Sequence, residues 1–139
     1  MAKAVEKLND ILADERICID RLHRAKSKCL DGGRGDLIDR ILASCLEICG
    51  ILEDTIRRRG GEPTAFPASG RKQFVPEGSL SEILLSIEAM QREIIREINL
   101  IVESPVLADV HDALLAIRQF HIDGAHWLSE ALGQDEERA

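Results

Sequence analysis

Residues 60–78 read GGEPTAFPASGRKQFVPEG: three prolines and no helical periodicity, set between two strongly periodic stretches. An extended chain advances at most ~3.3 Å per residue, so this segment can reach ~60 Å. A helix of ~24 residues is only ~36 Å long. The segment can therefore cross a helical bundle from one end to the other. The connections at "DGGRG" (Asp31–Gly35) and around Pro105 are too short for anything but antiparallel hairpins. Two hairpins joined by a crossover is the arrangement this implies. An up-and-down bundle with a long surface loop is the alternative, although unassigned loops of this length are uncommon in compact domains.

Four stretches carry the helical period. The first runs from about Lys3 to Leu30. The second starts with Asp36 as N-cap and stops at "RRRGG" (Arg57–Gly61), a glycine C-terminal signal. The third begins near Ser79, with Ser79 and Glu82 in capping-box spacing, and ends before Pro105. The fourth runs from about Val106 to Leu132, after which "GQDEERA" (133–139) is expected to fray. The expectation is one all-α domain over residues 1–139, a four-helix bundle with a crossover loop at 60–78.

Composition agrees. The apolar set is aliphatic, with three Phe, one Trp and no Tyr, which favours helices over a sandwich or barrel. A formal net charge of −7 argues against nucleic-acid binding, which needs a basic patch. The basic runs "RLHRAKSK" (Arg21–Lys28) and "IRRRGG" (Ile56–Gly61) fall at helix ends, where they complement the helix dipole. The opening "MAKAVEKL" has no apolar leader pattern, and no uninterrupted apolar run is long enough for a membrane span. A cytoplasmic protein is expected, with Cys18, Cys29, Cys45 and Cys49 reduced. No nucleophile–base pair, phosphate loop or nucleotide fingerprint argues for an enzyme.

On a helical wheel, four polar residues point with the apolar face rather than away from it. Glu15 lies near the centre of the first helix's stripe, with Cys18 toward its edge. Cys45, Gln91 and His121 point inward on helices 2, 3 and 4, and Cys49 lies one turn beyond Cys45. Glu47, Glu93, Asp123 and His126 turn outward, and His23 and His111 are read as surface residues. Each of Glu15, Cys45, Gln91 and His121 sits near its helix midpoint. Packed side by side, such helices bring their midpoints to one level and form a central polar layer.

Three motifs point to a family. "LNDILADE" (Leu8–Glu15) resembles the first helix of bacterioferritins and related ferritin-like proteins, where a run of this pattern ends in a metal-ligating glutamate. "IRRRGGEP" (Ile56–Pro63) is similar to the turn that ends the family's second helix, and "HWLSEAL" (His126–Leu132) to the end of its fourth. The resemblance implies a ferritin-like four-helix bundle and a context of metal or oxidative-stress handling. It also implies a di-iron layer built from one Glu on each of two helices and Glu-x-x-His on each of the other two. Glu15 matches the first-helix ligand, and in the family's spacing the others fall on Cys45 and Ile48 and on His121 and Gly124; Gln91 is matched to the third-helix ligand without a motif to anchor its register. Only Glu15 is retained as a ligand type in its place, so standard ferroxidase chemistry is not expected.

Two functions remain open on the sequence. The first is a single transition-metal ion, Zn, Fe or Cu, held by Glu15, Cys45 and His121, with Gln91 in the layer and Cys49 nearby. The second is a metal-free hydrogen-bonded layer in a non-catalytic interaction or regulatory protein. The expected partner is a second copy of the chain, first of all as a dimer, with no nucleic acid and no membrane. The flank of Trp127, Phe120 and Ala116 either makes that contact or packs under Phe66 and Phe74 of the crossover.

Overall fold

The computed structural model describes residues 2–29, 32–64 and 78–138. Four helices account for nearly all of them: α1 (Ala2–Ser27), α2 (Gly32–Arg58), α3 (Leu80–Ile101) and α4 (His111–Arg138). A short 3-10 turn, Pro105–Val110, precedes α4.

The helix ends show which local signals prevailed. Ser79 caps α3 as its sequence indicates. The Ser79 hydroxyl accepts from the Glu82 backbone N–H at 3.2 Å, and Glu82 Oε1 accepts from the Ser79 N–H at 3.3 Å. The glycine signal after α2 also operates. Gly60 adopts φ 79°, its N–H bonds the Arg57 carbonyl at 2.9 Å, and the Gly61 N–H bonds that of Ile56 at 3.0 Å. The start of α2 differs from expectation, because the helix begins at Gly32 rather than at Asp36. Packing outweighs glycine's poor helix propensity here. Gly35 is buried, and a Cβ on it would stand 3.0 Å from Lys26 Nζ, which pairs with Asp39 at 2.7 Å. The fourth helix starts later than Val106. Pro105 opens the 3-10 turn, where Leu107 leaves helical geometry (φ −108°) and plugs the end of the core. At the other end α4 is helical to Arg138, past Leu132.

Contacts between helices fix their directions. Gly61, just after α2, lies against Val5 near the start of α1, and the Glu62 carbonyl accepts from Asn9 Nδ2 at 3.1 Å. At the opposite end Arg21 of α1 donates to the Ser86 carbonyl of α3 at 3.0 Å. So α2 ends where α1 begins, and α3 starts toward the end of α1. Residues 61 and 79 thus lie toward opposite ends of the bundle, and α2 and α3 are parallel. An up-and-down bundle would make them antiparallel. Residues 65–77 of that connection, Phe66 and Phe74 included, lie outside the described residues. Its departure is anchored by α1, since Asn9 Oδ1 accepts the Thr64 N–H at 2.7 Å and Arg16 bonds both the Thr64 carbonyl and Glu53.

The apolar core is divided. One cluster includes Leu8, Leu12, Leu52, Ile94, Ile98 and Leu114, and the other Leu22, Ile38, Ile41, Ile83, Ile87 and Leu128. A domain of this size usually forms one contiguous core. On α3 and α4 the two clusters are separated at Gln91 and His121, whereas on α1 the first continues past Glu15 to Cys18 and the second begins at Leu22. Phe120 and Trp127 are half-buried against the bundle itself, with the Arg40 guanidinium 5.1 Å from the Trp127 ring centre, while Ala116 is exposed. Among the described residues no helix is long and apolar enough to cross a membrane.

Candidate functional site

The wheel's inward residues are inward. Glu15, Cys45, Gln91 and His121 are each 0% exposed, and Cys49 is buried beside them. Each arrives by helical register, flanked at three- and four-residue steps by core aliphatics: Leu12 and Ile19 around Glu15, Ile87 and Ile94 around Gln91, Ile117 and Ala125 around His121. His23 and His126 are exposed and His111 is half-buried near Glu103, so the remaining histidines stay outside the core.

Glu15 is the centre of the layer. His121 Nε2 contacts Glu15 Oε2 at 2.6 Å, a short carboxylate–imidazole hydrogen bond between residues 106 positions apart. The Cys45 thiol lies within electrostatic reach of the same carboxylate. Gln91 does not join them. Its Oε1 and Nε2, together with Glu15 Oε1 and His121 Nδ1, are buried with no hydrogen-bond partner among the described residues. The Gln91 amide leans instead on Gly124 of α4, where an added Cβ would stand 2.5 Å from Nε2.

Three thiols surround Glu15, and their environment keeps them protonated. Burial, then the Glu15 charge, pushes Cys45 and Cys18 well above the usual thiol range. Cys49 is pushed up to about 12 by burial and then by Glu15, with Arg16 opposing. Neutral buried thiols are poor nucleophiles. Alkylation of the native protein at neutral pH should therefore modify the half-buried Cys29 and spare the other three, all four reacting after unfolding. Adduct counting by mass spectrometry checks this. As pH rises Cys49 should react next, because its thiolate is the least disfavoured of the three.

Two buried groups escape a pattern-based reading. Cys18, placed at the edge of the stripe, is fully buried and within electrostatic reach of Glu15. Asp14 is also 0% exposed, though it is one residue off the stripe's centre. A single wheel shows a direction but not how far the neighbouring helices wrap around it, so neither burial was legible in α1 alone.

No family model matches this chain, and no curated protein resembles it in sequence. Among solved structures it is similar to a crystal structure of ferritin-like, diiron-carboxylate proteins from Bacillus anthracis str. Ames, with 17% sequence identity and a TM-score of 0.73. The match covers 96% of this chain and 94% of that one. The fold is ferritin-like. In such bundles the central layer is the place for metal chemistry, so the donors present can be tested against a di-iron centre. They do not fit. Two irons need bridging carboxylates to balance their charge, and of the four glutamate positions of such a layer only that of Glu15 carries one here. The expected histidine positions are the aliphatic Ile48 and the side-chain-free Gly124. Among the described residues no three His, Cys, Asp or Glu side chains are grouped as a ready metal cage, the donors meeting pairwise at Glu15. The ferritin-like layer here is a carboxylate–imidazole–thiol cluster with an amide beside it.

Proposed function

We propose that this ferritin-like chain is a cytoplasmic protein whose di-iron layer has been rebuilt around one transition-metal ion. Glu15 and His121 are its first ligands and Cys45 the third, with Cys49 and Gln91 flanking. The reading rests on the four unpartnered buried atoms, Glu15 Oε1, His121 Nδ1 and both polar atoms of Gln91. Each such atom costs about 1–3 kcal/mol when left unsatisfied, and a self-sufficient hydrogen-bonded layer would have consumed them. Carboxylate, imidazole and thiolate together suit Zn²⁺, Cu or a single Fe. Binding would displace the Cys45 proton, which makes affinity rise with pH. The role this supports is metal or oxidative-stress handling, without ferroxidase turnover.

A second reading has an observation of its own. The direct 2.6 Å contact of Glu15 with His121 and the protonated thiols suit a metal-free layer in an interaction or regulatory protein. Elemental analysis of the purified protein, followed by titration with Zn²⁺, Cu⁺ and Fe²⁺, separates the two. About one metal per chain is expected, absent from Glu15→Ala and His121→Ala, with chelation lowering Tm by several degrees. A protein that carries no metal and takes up none leaves the second reading in possession.

A further inference from the structure

The end of the bundle where α1 begins and α3 finishes carries a groove unconnected with the polar layer. It encloses about 480 Å³ between Leu100, Ile101, Val106 and Leu107, with Lys3 and Lys7 also lining it. Ile101 and Leu107 are buried and make its floor, whereas Leu100 is 78% exposed and Val106 50%. Leu100 and Val106 therefore leave the apolar wall of the groove open to water. Lys3 and Lys7 are four residues apart and so share one face of α1. Neither makes an ion pair among the described residues. Glu6 and Asp10 line an adjoining depression with the same lysines, and Asp10 and Glu97 another beside Lys7, Leu100 and Ile101, but none of these acids lines the groove itself.

We propose that this groove binds a medium-chain fatty acid, its chain along the four aliphatic side chains and its carboxylate against Lys3 and Lys7. A purely apolar ligand would make no use of the two exposed ammonium groups at the groove's edge. A small inorganic anion would leave Leu100 and Val106 in water. An amphipathic anion satisfies both, and the volume falls within the roughly 300–1,000 Å³ of small-molecule sites. A second copy of the chain is a poorer occupant. Two copies would bring together two chains of net charge −7, whereas a fatty acid adds one charge and can set it on Lys3 and Lys7 rather than against Glu6, Asp10 or Glu97.

Calorimetric titration of the full chain with decanoate, kept below its micellar concentration, tests the proposal. Saturable binding is expected, with the neutral analogue decanol about ten-fold weaker for want of the two charge contacts. The double variant Lys3→Glu/Lys7→Glu should lose about ten-fold in decanoate affinity while leaving decanol unchanged. Leu100→Asp should weaken both ligands. These are surface positions, and an unchanged thermal transition in ligand-free variants confirms that folding is not the cause. Absence of saturable binding, or binding that none of the substitutions alters, overturns the proposal. So does a dimer seen by light scattering without decanoate that Leu100→Asp disrupts, since the groove would then belong to a second copy.

Discussion

Glu15→Ala is expected to lower the melting temperature of the metal-free protein by about 10–20 °C. The substitution removes the hydrogen-bond partner of the buried His121 Nε2, together with the carboxylate charge beside the Cys45 thiol. Removing one partner of a buried pair costs about 3–5 kcal/mol, because the other stays in the core without compensation. In a chain of this length each kcal/mol shifts Tm by roughly 3–5 °C. Glu15→Gln keeps an acceptor near His121 and should lose only about 1–2 kcal/mol. The double variant Glu15→Leu/His121→Leu should recover most of the single variant's loss, because it replaces both polar groups with apolar volume. Calorimetry or denaturant unfolding of the full cycle measures the coupling. A Glu15→Ala loss below about 1 kcal/mol would mean that the 2.6 Å contact is not maintained in solution.

Gln91→Met should act in the opposite direction. Methionine fills nearly the same volume without either of the two buried polar atoms that glutamine leaves unpartnered. Relief of those atoms should stabilise the metal-free protein by about 2 kcal/mol, or roughly 6–10 °C. Most core substitutions destabilise, so the sign alone is informative. Gly124 offers an internal control. With Gln91 present, Gly124→Ala sets a Cβ 2.5 Å from the amide and forces it to move. In a Gln91→Ala background that obstacle is gone, and Gly124→Ala should gain about 1 kcal/mol from helix propensity. If Gln91 serves a bound metal, directly or by orienting a ligand, the advantage of Gln91→Met should shrink or reverse once the protein is loaded. Thermal unfolding of metal-free and metal-loaded protein, wild type beside variant, reads both.

These expectations reach different depths of the sequence. Glu15 was legible as an inward carboxylate because its neighbours at three- and four-residue steps are aliphatic. Its depth matched that of Gln91 and His121 because all three stand near helix midpoints. Ser79 with Glu82, and Gly60 with Gly61, announced helix ends because caps are satisfied within a few residues of chain. The start of α2 was misplaced because glycine-rich "GGRG" reads locally as a turn, while burial of Gly35 beside Lys26 is a tertiary matter. Arg16 and Asn9 gave no signal at all. Their role depends on a crossover that only the assembled bundle brings alongside α1.

By itself, the sequence determined four helices, the faces they bury, a linker long enough to cross between the second and third, and a polar level across the core. These follow from periodicity, capping and chain length, all of which act within a helix or a linker. Only the tertiary structure decided which polar groups meet: Glu15 with His121 and Cys45, and Gln91 with neither. Helical register sets the level of a side chain to within about a turn, some 5 Å. A hydrogen bond is decided within tenths of an ångström, and that difference is set by the packing of all four helices together.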